Sequence, residues 1–198
     1  MATDSKGATN GTYTGGVTLG AAGALTTDSD KAASFDGVDD FVAIGDVHDF
    51  AGTAPFSVEF WLKKDVASTS DYIRLVDKHK TAAPRDGWVF AIDPGTQKIL
   101  FERWGAGNQD SFASSTATQT GRWYHLVGTY DGTSMRLYID GALEATRTSS
   151  ASMGNTTVPL RIARSADAAS YFDGTIDEVA IYNSALTGGQ IQSHYDAR

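Results

Sequence analysis

Two segments of this 198-residue chain each place a glutamate two residues before a tryptophan. The pairs are Glu59 with Trp61 and Glu102 with Trp104, and Asn108 follows the second pair in a polar segment. The flat indole of tryptophan can stack on the apolar face of a sugar ring, and a carboxylate accepts hydrogen bonds from sugar hydroxyls. We therefore take these five residues as candidate ligand-binding residues.

Alternation of apolar and polar residues places both pairs on predicted β-strands. In FSVEFWLKK (56–64) and KILFERW (98–104), the glutamate and the tryptophan face one side and the phenylalanines face the other. If the two strands are neighbours in one sheet, two indoles and two carboxylates form a platform for a glycan, and solvent exposure of either tryptophan would favour this interpretation. The alternative is that other segments cover this face and bury both tryptophans in a second small core.

Short strands and tight turns predict an all-β protein. Asp-Gly, a strong signal for a two-residue hairpin turn, occurs five times, with aspartate at positions 36, 86, 131, 140 and 173. A dozen or so strands are too many for one open sheet, so we predict a two-sheet antiparallel jelly-roll sandwich. The helical signal lies at the end of the chain, where Thr187 and Gln190 form a capping box before Ile191 and Tyr195, and predicts one short C-terminal helix.

Length and composition limit the classes of function. A single domain over residues 1–198 suits an all-β chain of this length, with the Gly/Thr-rich segment 1–34 contributing an edge strand. The formal charge of −8 argues against nucleic acid as a partner. No apolar run reaches the roughly 20 residues that span a bilayer, so we expect no membrane insertion. The absence of cysteine removes disulfides and thiolate chemistry.

Five segments, in this order, carry a resemblance to a known family: AASFDGVDDFVAI, FSVEFWLKK, GRWYHLVGTYDGTSMRLYIDG, LRIAR and FDGTIDEVAIYNSAL. Together they resemble the laminin G-like jelly roll of the concanavalin A-like lectin and glucanase superfamily. The resemblance implies a carbohydrate-binding, lectin-like module of a larger secreted, cell-surface or phage-tail protein, with a glycan or polysaccharide as partner. The alternative is a structural or protein-interaction module, such as an adhesin or a tail spacer.

The same resemblance implies a structural Ca²⁺ ion held between the opening segment and the last strand. The matching positions here are Asp4, Asn10 and Asp177. Calcium takes six to eight oxygen ligands, so carboxylates with loop carbonyls suit it. The alternative is that Asp4 is a solvated terminal residue and Asp177 a simple outward strand position.

Relatives of this fold include glucanases, so an enzyme is the third interpretation. Family glucanases carry their carboxylates on one strand as Glu-x-Asp-x-x-Glu or close variants, and this pattern is absent from the sequence. Glu59 and Glu102 could pair across strands, but each lies beside a cationic residue, Lys63 or Arg103, and no feature of the sequence would keep one of them protonated. We therefore predict no catalytic residues.

A basic loop, DKHKTAAPRDG (77–87), offers a second set of candidate contacts. Lys78, His79, Lys80 and Arg85 could meet an acidic sugar or another carboxylate. The alternative is that the basic loop is simply solvated, as most charged loops are.

Overall fold

The computed structural model describes residues 1–7, 9–26, 29–68, 71–149 and 151–198. Its strands, in chain order, are β1 (Thr12–Thr14), β2 (Thr18–Ala21), β3 (Ala32–Asp36), β4 (Phe41–Gly45), β5 (Phe56–Lys64), β6 (Ile73–Asp77), β7 (Gly87–Ile92), β8 (Lys98–Gly105), β9 (Asn108–Ala117), β10 (Trp123–Tyr130), β11 (Ser134–Ile139), β12 (Ala142–Thr148), β13 (Leu160–Ile162) and β14 (Asp173–Tyr182). The helix α1 (Gly188–Asp196) follows β14.

Two antiparallel sheets of seven strands form a jelly-roll sandwich, as the sequence predicts. The first sheet has the order β1-β4-β13-β6-β7-β8-β9, and the second has the order β12-β11-β10-β5-β14-β3-β2. The N-terminal segment therefore supplies the edge strand β1 to one sheet and the edge strand β2 to the other. In the described part of the chain, no helix is long and apolar enough to cross a membrane.

Aromatic side chains from both sheets fill the space between them. Phe56 of the second sheet packs against Trp88 and Phe101 of the first, with ring centroids 5.7 and 6.1 Å apart. The sheets approach closely beside Phe90, because a Cβ at Gly128 would lie 2.2 Å from the Phe90 ring. Burial of each large apolar side chain contributes about 1.5–3 kcal/mol, so this layer accounts for the alternation seen in the sequence.

The Asp-Gly turns differ in how they use aspartate. At Asp140-Gly141 both residues have positive φ, 52° and 79°, as a type I′ hairpin turn requires. Asp131 does not have positive φ; its carboxylate accepts the N–H groups of Thr133 and Ser134 instead. A loop closed by this side chain can join β10 to β11 without positive φ at the aspartate.

The helix α1 begins where the capping box predicts. The Thr187 hydroxyl accepts the N–H of Gln190, and the Gln190 side chain accepts the N–H of Thr187. Ile191 is fully buried in a cluster with Val127 and Tyr138, which places α1 on the outer face of the second sheet.

A cleft on the outer face of the first sheet

The strands that carry the two glutamate–tryptophan pairs lie in different sheets. Glu59 and Trp61 belong to β5 in the second sheet, whereas Glu102 and Trp104 belong to β8 in the first. The prediction of one shared platform is therefore wrong. β5 pairs with β10 and β14, and β8 pairs with β7 and β9, so the two pairs occupy opposite outer faces of the sandwich.

The helix α1 covers the pair on β5. Trp61 is only 3% exposed, because its indole packs against the rings of His125 and Tyr195, with centroids 4.9 and 5.9 Å away. Trp61 therefore lacks the solvent exposure that would favour a glycan platform, and the alternative interpretation, a second small core, describes this face. The covering segment is the C-terminal helix, and His125 comes from the neighbouring strand β10.

Glu59 lies at the centre of a buried hydrogen-bond network under α1. Its carboxylate lies 2.7 Å from Nε2 of His125 and 3.0 Å from Nδ1 of His194, and it accepts the Tyr182 hydroxyl at 2.9 Å. Burial alone would raise the pKa of Glu59, but these hydrogen bonds outweigh it and hold the pKa below its ordinary value. All of these partners are protein groups, so this glutamate fixes the helix to the sheet.

The pair on β8 lines an open cleft of about 320 Å³. Aromatic, cationic and amide side chains surround it, and they come from three places: the start of β6, the basic loop, and the β8–β9 hairpin. The residues that line the cleft are Tyr72, Arg74, His79, Thr81, Arg85, Glu102, Trp104 and Gln109.

Glu102 holds the β8–β9 side of the cleft in place. Its carboxylate accepts the indole N–H of Trp104 at 3.0 Å, the side-chain amide of Gln109 at 3.1 Å and the hydroxyl of Ser111 at 3.0 Å. Strand register brings these groups together, because Gln109 lies opposite Trp104 and Ser111 lies opposite Glu102. Glu102 therefore orients two residues that line the cleft.

Trp104 forms a wall of the cleft, and it is only 7% exposed. The His79 ring stacks against its indole with centroids 5.2 Å apart, and the guanidinium of Arg85 lies 4.9 Å from the indole centroid. Trp104 also lacks the solvent exposure that would favour the glycan platform, because the basic loop folds over it. The open aromatic surface is Tyr72, which is 43% exposed.

His79 is a buried polar group whose ring has no hydrogen-bond partner in the described part of the chain. Only 1% of the residue is exposed, and neither ring nitrogen is hydrogen-bonded within the described residues. Burial, reinforced by the positive charges of Arg74 and Arg85, lowers the pKa of His79 to about 4. The ring is therefore neutral at pH 7, with one nitrogen as donor and the other as acceptor.

Asp77 anchors the basic loop beneath the cleft. Its buried carboxylate accepts the N–H of His79 at 2.6 Å and the N–H of Ala166 at 3.1 Å. Burial raises the pKa of Asp77 to about 7, against the opposing charge of Arg74. Lys78 is also buried, between Asp46 and Asp49, with its Nζ 2.5 and 3.1 Å from their carboxylates.

The alternative of a solvated basic loop is therefore wrong for Lys78 and His79, whereas Arg85 is exposed. Among the described residues, Arg74 and Arg85 form no direct ion pair with a carboxylate, although the charge of Arg74 acts on the buried carboxyl of Asp77. The Arg74 guanidinium lies 5.9 Å from the Tyr72 ring centroid, and Nε of Arg85 donates to the carbonyl of Thr81.

Asn108 lies at the tip of the β8–β9 hairpin and is exposed. The turn before it has positive φ at Ala106 and Gly107, 50° and 84°. Gln109 and not Asn108 lines the cleft, because Gln109 is the residue opposite Trp104. Sequence reasoning missed Gln109, Tyr72 and Arg74. The register of the hairpin could have indicated Gln109, but no local signal in the sequence singles out the other two.

The residues expected to hold calcium together lie in different sheets. Asp4 and Asn10 lie beside the edge of the first sheet, where the N–H of Asp4 donates to the Asn10 side chain and the Asp4 carboxylate accepts N–H groups of Lys6, Gly7 and Thr9. Asp177 lies in β14 of the second sheet, where it accepts the N–H of Ala24. The opening segment and β14 do meet, but Asp30 and Glu178 accompany Asp177 there, with carboxylate oxygens within 4.8 Å of one another.

The fold belongs to the class of jelly-roll sandwiches found in lectins and glucanases. A laminin G-like family model, described as the concanavalin A-like lectin/glucanases superfamily, matches residues 36–192. The chain belongs to this superfamily, as its sequence motifs indicate. A search of curated protein sequences found no match.

Solved structures of low sequence identity share this fold. Domain 4 of AbnA, a GH43 extracellular arabinanase from Geobacillus stearothermophilus, in complex with arabinotriose, is 20% identical with a TM-score of 0.76, over 97% of this chain and 91% of that one. The binding domain of Paraclostridial Mosquitocidal Protein 1 is 13% identical with a TM-score of 0.74, over 95% and 48%. The receptor-binding domain of a botulinum neurotoxin C/D mosaic serotype is 16% identical with a TM-score of 0.68, over 96% and 47%. The chain thus spans about half the length of the toxin domains it matches.

Proposed function

We propose that this chain is a non-catalytic carbohydrate-binding, lectin-like module of a larger protein, and that the cleft beside Trp104 binds the glycan. The observation that carries the proposal is the convergence of an exposed tyrosine, an amide, two guanidinium groups and an unpartnered imidazole in one cleft. Few but directional polar groups beside an aromatic surface are typical of sites for small polar ligands. The arabinotriose complex of the AbnA domain supports the same class of ligand.

Each lining residue has a distinct part in the proposed binding. Tyr72 offers an exposed ring face on which a sugar can stack. Gln109, Arg74 and Arg85 offer hydrogen-bond donors for hydroxyl or ring oxygens. Glu102 keeps Trp104 and Gln109 in position and is a positioning residue in this proposal.

The positions of the carboxylates favour a binding module over a glycosidase. Retaining enzymes need two carboxyl groups about 5–5.5 Å apart across the scissile bond. Glu102 is the acidic residue among those that line the cleft in the described part of the chain, and Glu59 lies in the other sheet. A glycan-active enzyme therefore remains the third interpretation.

A structural or protein-interaction module, such as an adhesin or a tail spacer, is the second candidate. The observation that favours it is the covered outer face of the second sheet, where α1 buries Trp61 and Glu59. A module of this kind would bind no glycan, and the experiment below separates the two candidates.

We also propose that Asp30, Asp177 and Glu178 hold a structural Ca²⁺ ion, in place of the set with Asp4 and Asn10. Three carboxylates whose oxygens lie within 4.8 Å of one another are donors of the kind that calcium takes. When bound, the ion would offset the mutual repulsion of these carboxylates and tie the opening segment to β14. An extracellular or cell-surface location, or a phage virion, is the setting we propose for such a module.

The experiment that tests the proposed function is a broad glycan array in millimolar calcium, followed by calorimetric titration of the glycans that bind. We expect binding to one related group of glycans, and a loss of about fivefold or more in Tyr72→Ala, since stacking contacts contribute about 1 kcal/mol or more. Leu143→Ala is the matched control, because Leu143 is an exposed apolar residue on β12 of the other sheet. A blank array would favour the structural candidate.

A further inference from the structure

We propose that the sugar bound in this cleft carries a carboxylate, and that Arg74 and Arg85 recognise it. This inference rests on the proposed function, because it names the class of glycan that the same cleft takes. The whole chain is acidic, with a formal charge of −8. A cleft lined by two cationic side chains is therefore an exception to the net charge of the protein.

The first observation is the pair of guanidinium groups. Both arginines line the cleft, and both act electrostatically on the His79 ring, so their charges converge on one region. Within the described residues, neither pairs with a carboxylate of the protein. A guanidinium presents planar N–H donors that match a carboxylate in a bidentate fashion.

The second observation is that the neighbouring protein carboxylates are already engaged. Glu102 accepts three donors, from Trp104, Gln109 and Ser111. Asp167 accepts the N–H and the hydroxyl of Thr81, both at 2.8 Å. These two acidic groups bind neutral donors of the protein, so the arginines are left with N–H groups available to a ligand.

The third observation is the unpartnered ring of His79. A buried imidazole without a hydrogen bond costs free energy, so a ligand that pairs with it gains more than the same contact would give in water. The ring is neutral at pH 7 because burial and the two arginines lower its pKa to about 4. It therefore offers one donor and one acceptor, which suit a hydroxyl beside a sugar carboxylate.

The experiment compares matched ligands. Oligosaccharides of galacturonate and of glucuronate are titrated beside their carboxyl-reduced derivatives, which keep the linkage and lose only the charge, and a sulfated dextran oligosaccharide provides a second kind of anion. We expect at least one uronate to bind about tenfold or more tightly than its reduced form, because a charge-assisted hydrogen bond to an ion is stronger than a neutral one. The difference should shrink as salt is raised.

Two variants of the protein locate the effect. In Arg85→Gln, and separately in Arg74→Gln, we expect the preference for the uronate over its reduced form to fall about tenfold, because the uronate loses a charge-assisted hydrogen bond and the reduced form loses only a weaker one. Arg85 is exposed, so its replacement leaves the fold intact. Arg122→Gln is the control, because it removes the same charge beside β10 in the second sheet.

The outcomes separate this inference from the proposed function. Equal binding of uronate and reduced forms, or a preference for neutral or sulfated sugars, overturns the carboxylate assignment and leaves the carbohydrate-binding module standing. A preference that survives both arginine variants overturns the roles of Arg74 and Arg85. A failure of wild-type protein to bind any sugar on the array overturns the proposed function and this inference together.

Discussion

The imidazole of His79 stacks on the indole of Trp104, with ring centroids 5.2 Å apart and ring planes tilted by 22°. The contact joins the basic loop to β8 across more than twenty residues of sequence, and the guanidinium of Arg85 lies 4.9 Å from the same indole. Trp104 is therefore part of a packed layer outside the first sheet. A ligand in the cleft would meet the rim of this layer and the exposed ring of Tyr72.

Replacement of Trp104 should cost stability as well as binding. Trp104→Ala removes a buried indole together with its hydrogen bond to Glu102, so we expect the free energy of unfolding to fall by about 3 kcal/mol or more. Urea denaturation followed by circular dichroism measures this. Tyr72→Ala is the comparison, since the exposed Tyr72 should lose binding with a change of less than about 1 kcal/mol. A Trp104→Ala protein as stable as the wild type would contradict the packing described here.

The buried carboxyl of Asp77 should make stability fall as pH rises. Its pKa is about 7 in the folded protein, against an ordinary value of 3.8 for aspartate, so the folded state binds more protons than the unfolded state between about pH 4 and pH 7. As the pH rises over this interval, we expect the free energy of unfolding of Asp77→Asn to increase by a few kcal/mol relative to that of the wild type, since one pKa unit corresponds to about 1.4 kcal/mol. Paired urea melts at pH 4, 5.5 and 7 provide the test. The lowered pKa of His79 makes stability rise with pH. This contribution is the same in both proteins, so it cancels in the difference between their free energies of unfolding. A difference in unfolding free energy between the two proteins that stays constant from pH 4 to pH 7 would contradict the prediction.

Glu59 should give the opposite dependence at acid pH. Although burial raises the pKa of Glu59, its hydrogen bonds to His125, Tyr182 and His194 hold the folded value below 4.5, so this stabilisation is present above that pH and is lost below it. We expect Glu59→Gln to be less stable at pH 7 by about 2 kcal/mol, with the gap closing as the pH falls through the lowered pKa of Glu59. Thermal melts between pH 3 and pH 7 measure the gap. Gln192→Ala, on the exposed side of α1, is the control. Its stability should equal that of the wild type across this pH range.

Calcium should raise the melting temperature of the protein by binding to carboxylates at β14 of the second sheet. We expect the wild type to melt higher in calcium than in EDTA, because an ion that binds only the folded state stabilises it by about 2.7 kcal/mol at one hundred times its Kd. Asp177→Asn and Glu178→Gln should abolish the difference. Asp4→Asn should retain it, since the Asp4 carboxylate accepts N–H groups of its own loop in the other sheet. Calcium sensitivity that disappears in Asp4→Asn and survives in Glu178→Gln would restore the set predicted from the sequence.

Local patterns were sufficient to predict most of the elements. The alternation in β5 and β8, the type I′ turn at Asp140-Gly141 and the capping box at Thr187 each depend on residues within a few positions of one another. The strand β9 was harder to predict. Its sequence, NQDSFASSTA, is polar and rich in serine, and its burial pattern lacks a clear period of two because it lies at the edge of the first sheet.

The sequence by itself determined the fold class, the faces of the strands and the position of the helix, because backbone geometry and turn chemistry act over short distances. Only the tertiary structure decided that β5 and β8 belong to different sheets, that α1 covers Trp61 and that the basic loop brings His79 to Trp104. These arrangements depend on pairing and packing between segments far apart in the chain. A period of two shows which side of a strand faces the core, but it carries no information about which strand lies beside it.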